Sequence, residues 1–545
     1  MTSTPFFFLK ALFLFFHRFF SKKFRRATAA VHRKYQKQPP STKLPGGSDD
    51  KVLIFNVEGG LLKPSSPYFF SYFMLVAFEA GGLLRATALL MSYPLIRLVG
   101  QEIGLKIMVM ISFFGVKKDN FRVGSSVLPK FFLNDVGLEV FEALKKGKKR
   151  IGFSNIFPQV MIESFLRDYL EVEEVVGREL KVFCGYFVGL MEEKVKVSSL
   201  LSHLIHEEEK EEKESDMLFH KNDNLIGLCG SQKGCDFQLL SSICNEIYTV
   251  NEAEKKRWKR LPKDKFPKPL VFHDGRLALN PTPFDTLALF MWLPFALILA
   301  FIRIFAYIFL PSILSYPINA FSGMHLTISI PKENTKSNNN NNQGFLYVCN
   351  HRTLLDPLYI SAALRINNPT AVTYSLSPIS EFFSPIRTVR LTRNRDRDAT
   401  LMVRLLSADG NLIVCPEGTT CREPYLLRFS PLFTEISTKI VPVANDTHVT
   451  MFYGTTASGF KCFDPLFFLM NPSPSYTVKE LDMVDGLLFG SNDDGDGDDK
   501  NSTRFDVANF VQSEIGKALE FECTKLTRKD KYLILAGNEG IVHSK

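Results

Sequence analysis

His351 and Asp356 form the most chemically informative pair in this sequence. They follow an apolar run at residues 345–349, and the aspartate comes five positions after the histidine. Histidine is suited to act as a general base near neutral pH, and a neighbouring carboxylate can hold its tautomer and stabilise the imidazolium. Pro357 favours the first turn of a helix, so Asp356 is a candidate N-cap residue where the histidine-bearing turn meets a helix.

A second apolar run, residues 411–415, leads into a polar loop at residues 416–422 that reads Pro-Glu-Gly-Thr-Thr-Cys-Arg. Both apolar runs predict buried strands. Parallel strands of an α/β sheet end at the same edge, and such sheets build their active sites there. We expect Glu417 and Gly418 to shape a tight loop whose amides face a substrate. Cys349 and Cys415 occupy strand positions that predict a place in the core.

These two segments resemble the glycerolipid acyltransferases, whose signature is His-x4-Asp followed by a Pro-Glu-Gly-Thr loop. Residues 415–430 are similar to the land-plant, membrane-bound glycerol-3-phosphate acyltransferases, as are residues 272–276, 451–456 and 521–530. The resemblance extends over roughly residues 50–543. It implies that His351 is the general base and that Asp356 orients it, with no covalent nucleophile required.

A phosphorylated substrate calls for arginine side chains. Residues 387–395 resemble the family's second conserved block, in which an apolar strand ends in an arginine, and Arg393 matches it best. A surface charge is the alternative interpretation of each arginine. The resemblance predicts a substrate-binding set made of Arg390, Arg393, Glu417, Gly418, Thr419 and Arg422.

Composition limits the class of protein. The 545 residues exceed one ordinary core, so at least two domains are expected. The 50 phenylalanines, against 2 tryptophans, and a mean hydropathy of +0.01 suit a membrane-associated enzyme. The net charge of +9 comes without a nucleic-acid motif, so anionic lipid or phosphate-bearing substrates are the expected partners. The 9 cysteines show no metal-binding spacing, which predicts reduced thiols and no metal site.

The N-terminus predicts an attachment to membranes. Residues 5–20 are rich in phenylalanine, and a basic run at residues 21–26 follows them. A signal peptide would carry its charges first, so residues 1–36 are interpreted as an amphipathic membrane anchor. Residues 37–50 are rich in Pro, Ser and Gly and predict a linker.

Residues 51–265 are predicted to form an α/β domain. Their first apolar run ends in Asn56-Val-Glu-Gly-Gly, which resembles the Asp-x-Asp-Gly-Thr motif of haloacid-dehalogenase-like phosphatases. Asn56 stands at the nucleophile position, where an amide cannot form an aspartyl phosphate at a useful rate, and Glu58 at the acid/base position. Ser154 matches the second motif, and Asp236 is the acidic residue of the late motif. The departures imply a phosphatase fold without phosphatase chemistry, because a Mg²⁺ site would lack most of its carboxylates.

Two apolar regions are candidates for membrane insertion. Residues 284–320 contain an uncharged run that ends at Arg303. This pattern predicts a transmembrane span or two re-entrant helices that meet near Arg303, with a buried core hairpin as the alternative. Pro294 and Pro311 favour broken helices. In the first domain, the apolar residues between 69 and 114 predict either a hairpin that enters the membrane or packed helices.

The predicted fold class is therefore α/β, with a degenerate haloacid-dehalogenase-like domain before a glycerolipid acyltransferase domain at residues 321–545. The resemblance implies an acyl-CoA:glycerol-3-phosphate acyltransferase that makes lysophosphatidic acid and uses acyl-CoA as a co-substrate, without a cofactor. The expected location is the endoplasmic reticulum membrane or, alternatively, a mitochondrial membrane. The choice between the sn-1 and sn-2 hydroxyl, the acyl chain and the oligomeric state stay open.

Three other functions are compatible with parts of the sequence. A lysophospholipid acyltransferase would use the same arginines for a different phosphate. A bifunctional acyltransferase-phosphatase would release monoacylglycerol, and Asn56 argues against it. A non-catalytic membrane scaffold is the third alternative, and the intact His351, Asp356 and Glu417 argue against that one.

Overall fold

The structure of the protein is a computed structural model that describes residues 52–63, 69–192, 225–230, 235–244, 246–262, 265, 272–331, 344–374, 381–382, 384–407, 410–437, 439–457, 459–485 and 499–537. The predicted anchor (1–36) and linker (37–50) lie outside these residues. The described chain divides into two compact units. The first holds the described residues up to Gly275 together with Asn280–Ala288, and the second holds Arg276–Leu279 and the described residues from Leu289 onward.

The first unit is built on a five-stranded sheet in the order β3-β2-β1-β6-β7. All of its paired strands are parallel. The central strand β1 reads Val-Leu-Ile-Phe-Asn and is almost completely buried, as expected for a strand covered on both faces. The strands of this unit are β1 (Val52–Asn56), β2 (Lys149–Pro158), β3 (Glu174–Arg178), β4 (Leu180–Phe183), β5 (Tyr186–Met191), β6 (Leu225–Cys229) and β7 (Glu246–Thr249).

Helices connect and cover these strands, and a separate antiparallel hairpin of β4 and β5 stands outside the main sheet. The first helix of the unit is apolar, its N-terminal half is buried, and it kinks at Gly82, whose φ of 71° is not helical. The helices are α1 (Phe70–Met91), α2 (Tyr93–Leu98), α3 (Gln101–Phe113), α4 (Val123–Ser126), α5 (Leu128–Asp135), α6 (Leu138–Leu144), α7 (Gln159–Ser164), α8 (Cys235–Ile243) and α9 (Glu252–Arg257).

The second unit is built on an eight-stranded sheet in the order β11-β10-β12-β9-β14-β15-β8, with β16 also paired to β14. Its centre is parallel, whereas β15 and β16 run antiparallel to β14. The eight strands are β8 (His325–Ser329), β9 (Leu346–Cys349), β10 (Pro369–Thr373), β11 (Arg387–Arg390), β12 (Asn411–Val414), β14 (Lys439–His448), β15 (Ser475–Glu480) and β16 (Val484–Asp485). Strands β13 (Tyr425–Leu426) and β17 (Glu522–Cys523) pair with each other in a separate two-stranded sheet.

Seven helices connect or flank the strands of the eight-stranded sheet. They are α10 (Pro283–Phe309), α11 (Ser312–Phe321), α12 (Asp356–Leu364), α13 (Arg395–Ser407), α14 (Asp464–Leu469), α15 (Asp499–Leu519) and α16 (Arg528–Ala536). A core cluster packs aliphatic side chains of β9, β12 and β14 against α13 and α15, including Val348, Leu412, Ile440, Met402 and Val511. This packing holds the parallel strands whose carboxyl ends carry the site described below.

The apolar region around Arg303 forms one long helix. The sequence left open two helices that meet near Arg303. In the described chain there is no break at that position, because α10 continues through both Pro294 and Arg303 to Phe309. Arg303 is fully buried, and its guanidinium donates to the carbonyl oxygens of Leu469 and Asn471. Internal carbonyl partners thus satisfy a charge that would otherwise interrupt the apolar helix.

Candidate active site

The predicted catalytic pair and the predicted polar loop lie at the same edge of the second sheet. Strands β9 and β12 are parallel neighbours, with Val348 opposite Val414 in the register. His351 follows the end of β9, and residues 416–420 follow the end of β12. Because both segments leave the sheet at its carboxyl edge, they come together as expected for an α/β active site.

His351 and Asp356 are in direct contact. The Nδ1 atom of His351 is 2.9 Å from Oδ2 of Asp356. A carboxylate can only accept, so Nδ1 carries the proton and the lone pair is on Nε2. The His351 side chain is 15% exposed, whereas Asp356 is fully buried. In the neutral form of the ring, Nε2 is therefore the atom that can accept a proton.

Asp356 is held by several donors. Its carboxylate accepts hydrogen bonds from the backbone amides of Arg352, at 2.5 Å, and Thr353, at 3.0 Å. The hydroxyl of Tyr476, on β15, also donates to it. The helix α12 begins at Asp356 itself, and its N-cap is Leu355. Asp356 is thus not the N-cap that the sequence suggested, because its carboxylate turns back to the amides of the preceding loop.

The surroundings of His351 increase its basicity. Burial disfavours the charged ring, but hydrogen bonds to the Cys415 sulfur and to the Asp356 carboxylate favour it and raise the pKa of His351 well above its usual value. The thiol of Cys415 lies 3.4 Å from that of Cys349. This contact and burial raise the pKa of Cys415 well above its usual value, so the thiol stays neutral and is a poor nucleophile.

Glu417 joins the polar loop to the backbone of the histidine. Its Oε1 accepts from the amide of His351 at 2.7 Å, and its Oε2 accepts from the amide of Leu427 at 3.0 Å. The amide of Cys421 donates in turn to the carbonyl of His351 at 2.6 Å. Burial raises the pKa of Glu417 to about 7 although both amide bonds lower it. Glu417 therefore orders the site through backbone contacts.

A large cavity of about 1350 Å³ opens beside His351 within the second unit. One wall consists of aromatic and aliphatic side chains of α10, including Phe301, Ile304, Phe305, Ile308 and Phe309. The rest of the lining includes the polar loop and basic side chains, which together we call the polar wall. A volume of this size, with one apolar wall and few polar groups, fits a substrate that has a long apolar part.

The predicted substrate-binding residues divide into two groups. Arg393, Gly418 and Thr419 line the cavity. Arg390 forms an ion pair with Glu381, and Arg422 donates to the carbonyl of Thr455 at 2.8 Å and lies over the Tyr453 ring. Neither Arg390, Glu417 nor Arg422 is among the described residues that line the cavity.

Two supporting contacts had no signal in the sequence. Asn350 and Asn445 bond to each other, each side-chain amide donating to the other's backbone carbonyl at 2.8 Å, and this fixes the end of β9 beside β14. Tyr476 reaches Asp356 from β15, 120 positions along the chain. The pattern of apolar and polar residues does not identify such partners, because these pairings form between segments that only folding brings together.

The first unit brings its four predicted site residues to one edge of its sheet. Oε1 of Glu58 accepts from Ser154 Oγ at 3.1 Å and from the amide of Asn155 at 2.7 Å. Asp236 accepts from the side chain of Asn155 at 2.5 Å, and the Asn56 side chain accepts from the amide of Gly59. Burial raises the pKa of Glu58 to about 7. Of the four, only Glu58 and Ser154 bond to each other, and Glu58 Oε2 and Asn56 Nδ2 are buried without a hydrogen-bond partner among the described residues.

Lys255 is a further buried group at this edge that sequence reasoning missed. Its ammonium donates to the carbonyl oxygens of Glu58 at 3.0 Å and Leu62 at 3.2 Å. Burial lowers the pKa of Lys255 to about 8. Within the described part of the chain, no group of three or more His, Cys, Asp or Glu residues is arranged to hold a metal ion.

Two described helices, α1 and α10, are long and apolar enough to cross a membrane on length and composition. The second is the more apolar, with a hydropathy of 2.3 against 1.6, and 33% of its apolar window is buried against 44%. Burial of this extent also occurs in core helices, so the two helices alone are weak support for a membrane span.

Comparisons with known proteins agree with this two-part organisation. Residues 52–250 match the family described as the HAD-like domain of RAM2-like glycerol-3-phosphate acyltransferases, and residues 330–446 match the acyltransferase family. The predicted fold class, a haloacid-dehalogenase-like domain followed by an acyltransferase domain, is confirmed by these matches.

Full-length relatives extend the match over nearly the whole chain. Two proteins of Arabidopsis thaliana, named probable glycerol-3-phosphate acyltransferase 2 and 3, are 55% and 53% identical, each over 98% of both chains. The crystal structure of the 1-acyl-sn-glycerophosphate acyltransferase PlsC from Thermotoga maritima is similar to 44% of this chain and 97% of its own, at 12% identity and a TM-score of 0.26. From the relatives' identity and coverage, the chain belongs to the glycerol-3-phosphate acyltransferase family.

Proposed function

We propose that this protein transfers the acyl group of acyl-CoA to a hydroxyl of glycerol 3-phosphate and releases lysophosphatidic acid and CoA. The observation that carries the proposal is the buried His351–Asp356 pair beside a cavity with one apolar and one basic wall. Membership of the glycerol-3-phosphate acyltransferase family supports this acceptor.

His351 acts as the general base in the proposed reaction. Its Nε2 takes the proton of the attacking hydroxyl while the oxygen forms a bond to the thioester carbon. The resulting imidazolium is stabilised by Asp356, and it returns the proton to the CoA sulfur as the C–S bond breaks. The protein's own side chains supply each proton transfer, so acyl-CoA acts as a co-substrate and no resident cofactor is needed.

The apolar and polar walls of the cavity suit the acyl chain of one substrate and the phosphate group of the other. The aromatic and aliphatic side chains of α10 would accommodate an acyl chain, and Arg393 would bind phosphate. Gly418 and Thr419 line the cavity beside His351, so amides of this loop are the candidates for donors to the tetrahedral oxyanion.

An assay with labelled glycerol 3-phosphate and several acyl-CoAs tests the proposal. The purified protein should form labelled lysophosphatidic acid, and positional analysis of the product distinguishes the sn-1 from the sn-2 hydroxyl. His351→Ala should lower kcat by on the order of 10²–10⁴-fold. His448→Ala removes an exposed histidine of the same domain and should change little.

Other results of this assay would redirect the proposal. Transfer to lysophospholipids with none to glycerol 3-phosphate would identify a different acceptor. His351→Ala activity above one tenth of the wild-type value would remove His351 from the mechanism. No transfer to any acceptor by protein that is folded and membrane-bound would favour the scaffold alternative.

We also propose that the protein is an integral membrane protein, with the endoplasmic reticulum as the expected compartment. Leu287, Met291, Ile298 and Ile302 lie on one face of α10, do not line the cavity and are 48%, 55%, 58% and 47% exposed. An exposed apolar face of this kind suits contact with lipid. Membrane association should survive high salt and carbonate and require detergent for release. Release by salt alone would show that attachment is electrostatic.

A further inference from the structure

Three basic side chains from distant parts of the chain line the polar wall of the cavity. Arg393 comes from the segment between β11 and α13, Lys461 precedes α14, and Arg528 is the first residue of α16. All three line the cavity that contains His351. We propose that Lys461 and Arg528 join Arg393 in a subsite that binds the phosphomonoester group of a substrate, an inference that rests on the proposed acyl transfer.

Tyr532 holds two of these cations together. The ammonium of Lys461 bonds to the Tyr532 hydroxyl and lies 4.8 Å from the ring centroid. The guanidinium carbon of Arg528 lies 5.1 Å from the same centroid. A ring that contacts both cations limits their motion, so less conformational entropy is lost when a ligand binds them.

Arg528 is positioned at the edge of the polar loop. Thr527 and Asp530 form a capping box that fixes the first turn of α16. A Cβ atom built on Gly418 would lie 3.8 Å from Cδ of Arg528. Burial lowers the pKa of Arg528, and the positive charge of Arg393 lowers it further, whereas Tyr532 raises it.

The charge on this wall is positive. Among the described residues that line the cavity, Asp464 is the single carboxylate, and its Oδ1 is 2.6 Å from the Arg276 guanidinium. Arg393, Lys461 and Arg528 therefore outnumber the one acidic side chain of the lining, which is itself paired with Arg276. Three converging cations suit a dianionic phosphate, which offers three strongly accepting oxygens.

Both substrates of the proposed reaction contain a phosphomonoester, glycerol 3-phosphate at one end and CoA at its ribose 3′-position. The two sources give different kinetics. Arg528→Gln and Lys461→Gln should each raise the KM of the substrate that occupies the subsite by roughly 10- to 100-fold, with a smaller change in kcat. Arg528→Lys and Lys461→Arg should recover part of the loss, because they keep the charge.

Comparison of acceptors and donors identifies the source. A rise in the KM for glycerol 3-phosphate alone assigns the subsite to the acceptor. A rise in the KM for acyl-CoA that disappears with acyl-dephospho-CoA assigns it to the coenzyme. Lys529→Gln is the matched control, because Lys529 is the exposed neighbour of Arg528 on α16 and its substitution removes the same charge. KM values for both substrates that match those of the control would overturn the proposal.

A binding measurement separates this inference from the proposed function. Inorganic phosphate should raise the thermal denaturation midpoint of the wild-type protein in detergent and of Lys529→Gln, and should do so less for Arg528→Gln. This result in a protein that fails to acylate glycerol 3-phosphate would retain the subsite and reject that acceptor. An equal shift for Arg528→Gln and the wild type would reject the subsite, whatever the activity.

Discussion

His351 owes its proposed role to the groups around its ring. Asp356 fixes the proton on Nδ1, the amides of Arg352 and Thr353 hold Asp356 in place, and Glu417 anchors the backbone of the histidine itself. A fully buried carboxylate with several donors keeps a stable position next to the ring. The imidazole is thus oriented before substrate binds, so little reorganisation is needed when the proton moves.

The pH dependence of kcat should reflect the raised pKa of His351. Below that pKa the ring is protonated and cannot accept a proton, so activity should fall on the acidic side with a midpoint above about 6.5, the ordinary value for histidine. Asp356→Asn removes the carboxylate charge and should move this midpoint to lower pH while kcat falls.

The comparison must use one substrate, because a substrate phosphate also titrates near pH 6. Its contribution is the same for the wild type and for Asp356→Asn, so the difference between their profiles belongs to the enzyme. An acidic midpoint that Asp356→Asn leaves in place would show that His351 is not the titrating group.

Tyr476 should contribute to activity through Asp356. Tyr476→Phe keeps the ring, which stacks on Tyr359 at 4.0 Å between centroids, and removes the hydroxyl that donates to the carboxylate. A hydrogen bond to a charged group is worth about 1.5–3 kcal/mol, so we expect kcat to fall by about tenfold or more with KM nearly constant. Tyr347→Phe removes a buried hydroxyl elsewhere in the same sheet and is the control. Equal kcat values for the two variants would count against this role.

At the scale of single elements, α10 has an exposed apolar face and a buried arginine that holds neighbouring segments. Its composition alone does not show which residues do which. Exposed apolar residues such as Leu287 and Ile298 lie on one face, whereas Arg303 points inward and binds backbone carbonyls. Its guanidinium also donates to Oγ of Ser322, just after α11, at 2.9 Å. One buried arginine thereby links α10 to the end of α11 and to the segment after α14.

Arg303→Met should destabilise the second unit. The substitution keeps the length of the side chain but leaves buried carbonyl oxygens without their donor, which should cost about 2–4 kcal/mol. The thermal denaturation midpoint in detergent should fall clearly below that of Ile302→Ala. Ile302 is adjacent on the same helix and 47% exposed, so its variant measures the effect of an ordinary change on α10. Equal midpoints would show that Arg303 is dispensable for stability.

At the scale of the whole molecule, the chain couples an acyltransferase domain to a phosphatase-like domain whose polar residues are used for internal contacts. Glu58 accepts from the backbone amides of Asn155 and Ile156, and Asn155 engages Asp236. The contacts of Glu58 all use one of its oxygens, so they do not decide whether the domain is active. The prediction that it is inactive rests on Asn56 at the nucleophile position and on the few carboxylates near it.

The purified protein with Mg²⁺ should release no inorganic phosphate from lysophosphatidic acid. Asn56→Asp alone should not create the activity, because the metal would still lack most of its carboxylate ligands. Phosphate release and monoacylglycerol would be measured after removal of contaminating phosphatases. Monoacylglycerol formed by the wild type would support the bifunctional alternative instead.

Local sequence was sufficient to predict much of the second domain. Strands β9 and β12 are short, almost fully buried apolar runs, and the polar segments after them contain His351, Asp356 and the loop around Gly418. Spacing within one segment limits where its residues can lie, so the contact between His351 and Asp356 was predictable. The first motif of the first domain was recognisable for the same reason.

Contacts between distant segments were not predictable in this way. Tyr476, Lys461 and Arg528 each lie far along the chain from His351. Tyr476 reaches Asp356 from β15 of the same sheet, and Lys461 and Arg528 line the same cavity as His351. The sequence also suggested Arg390 and Arg422 for substrate, yet these side chains engage Glu381 and Thr455. A side chain's partner depends on which groups folding brings within about 3 Å of it, and the residues next to it in sequence do not specify those groups.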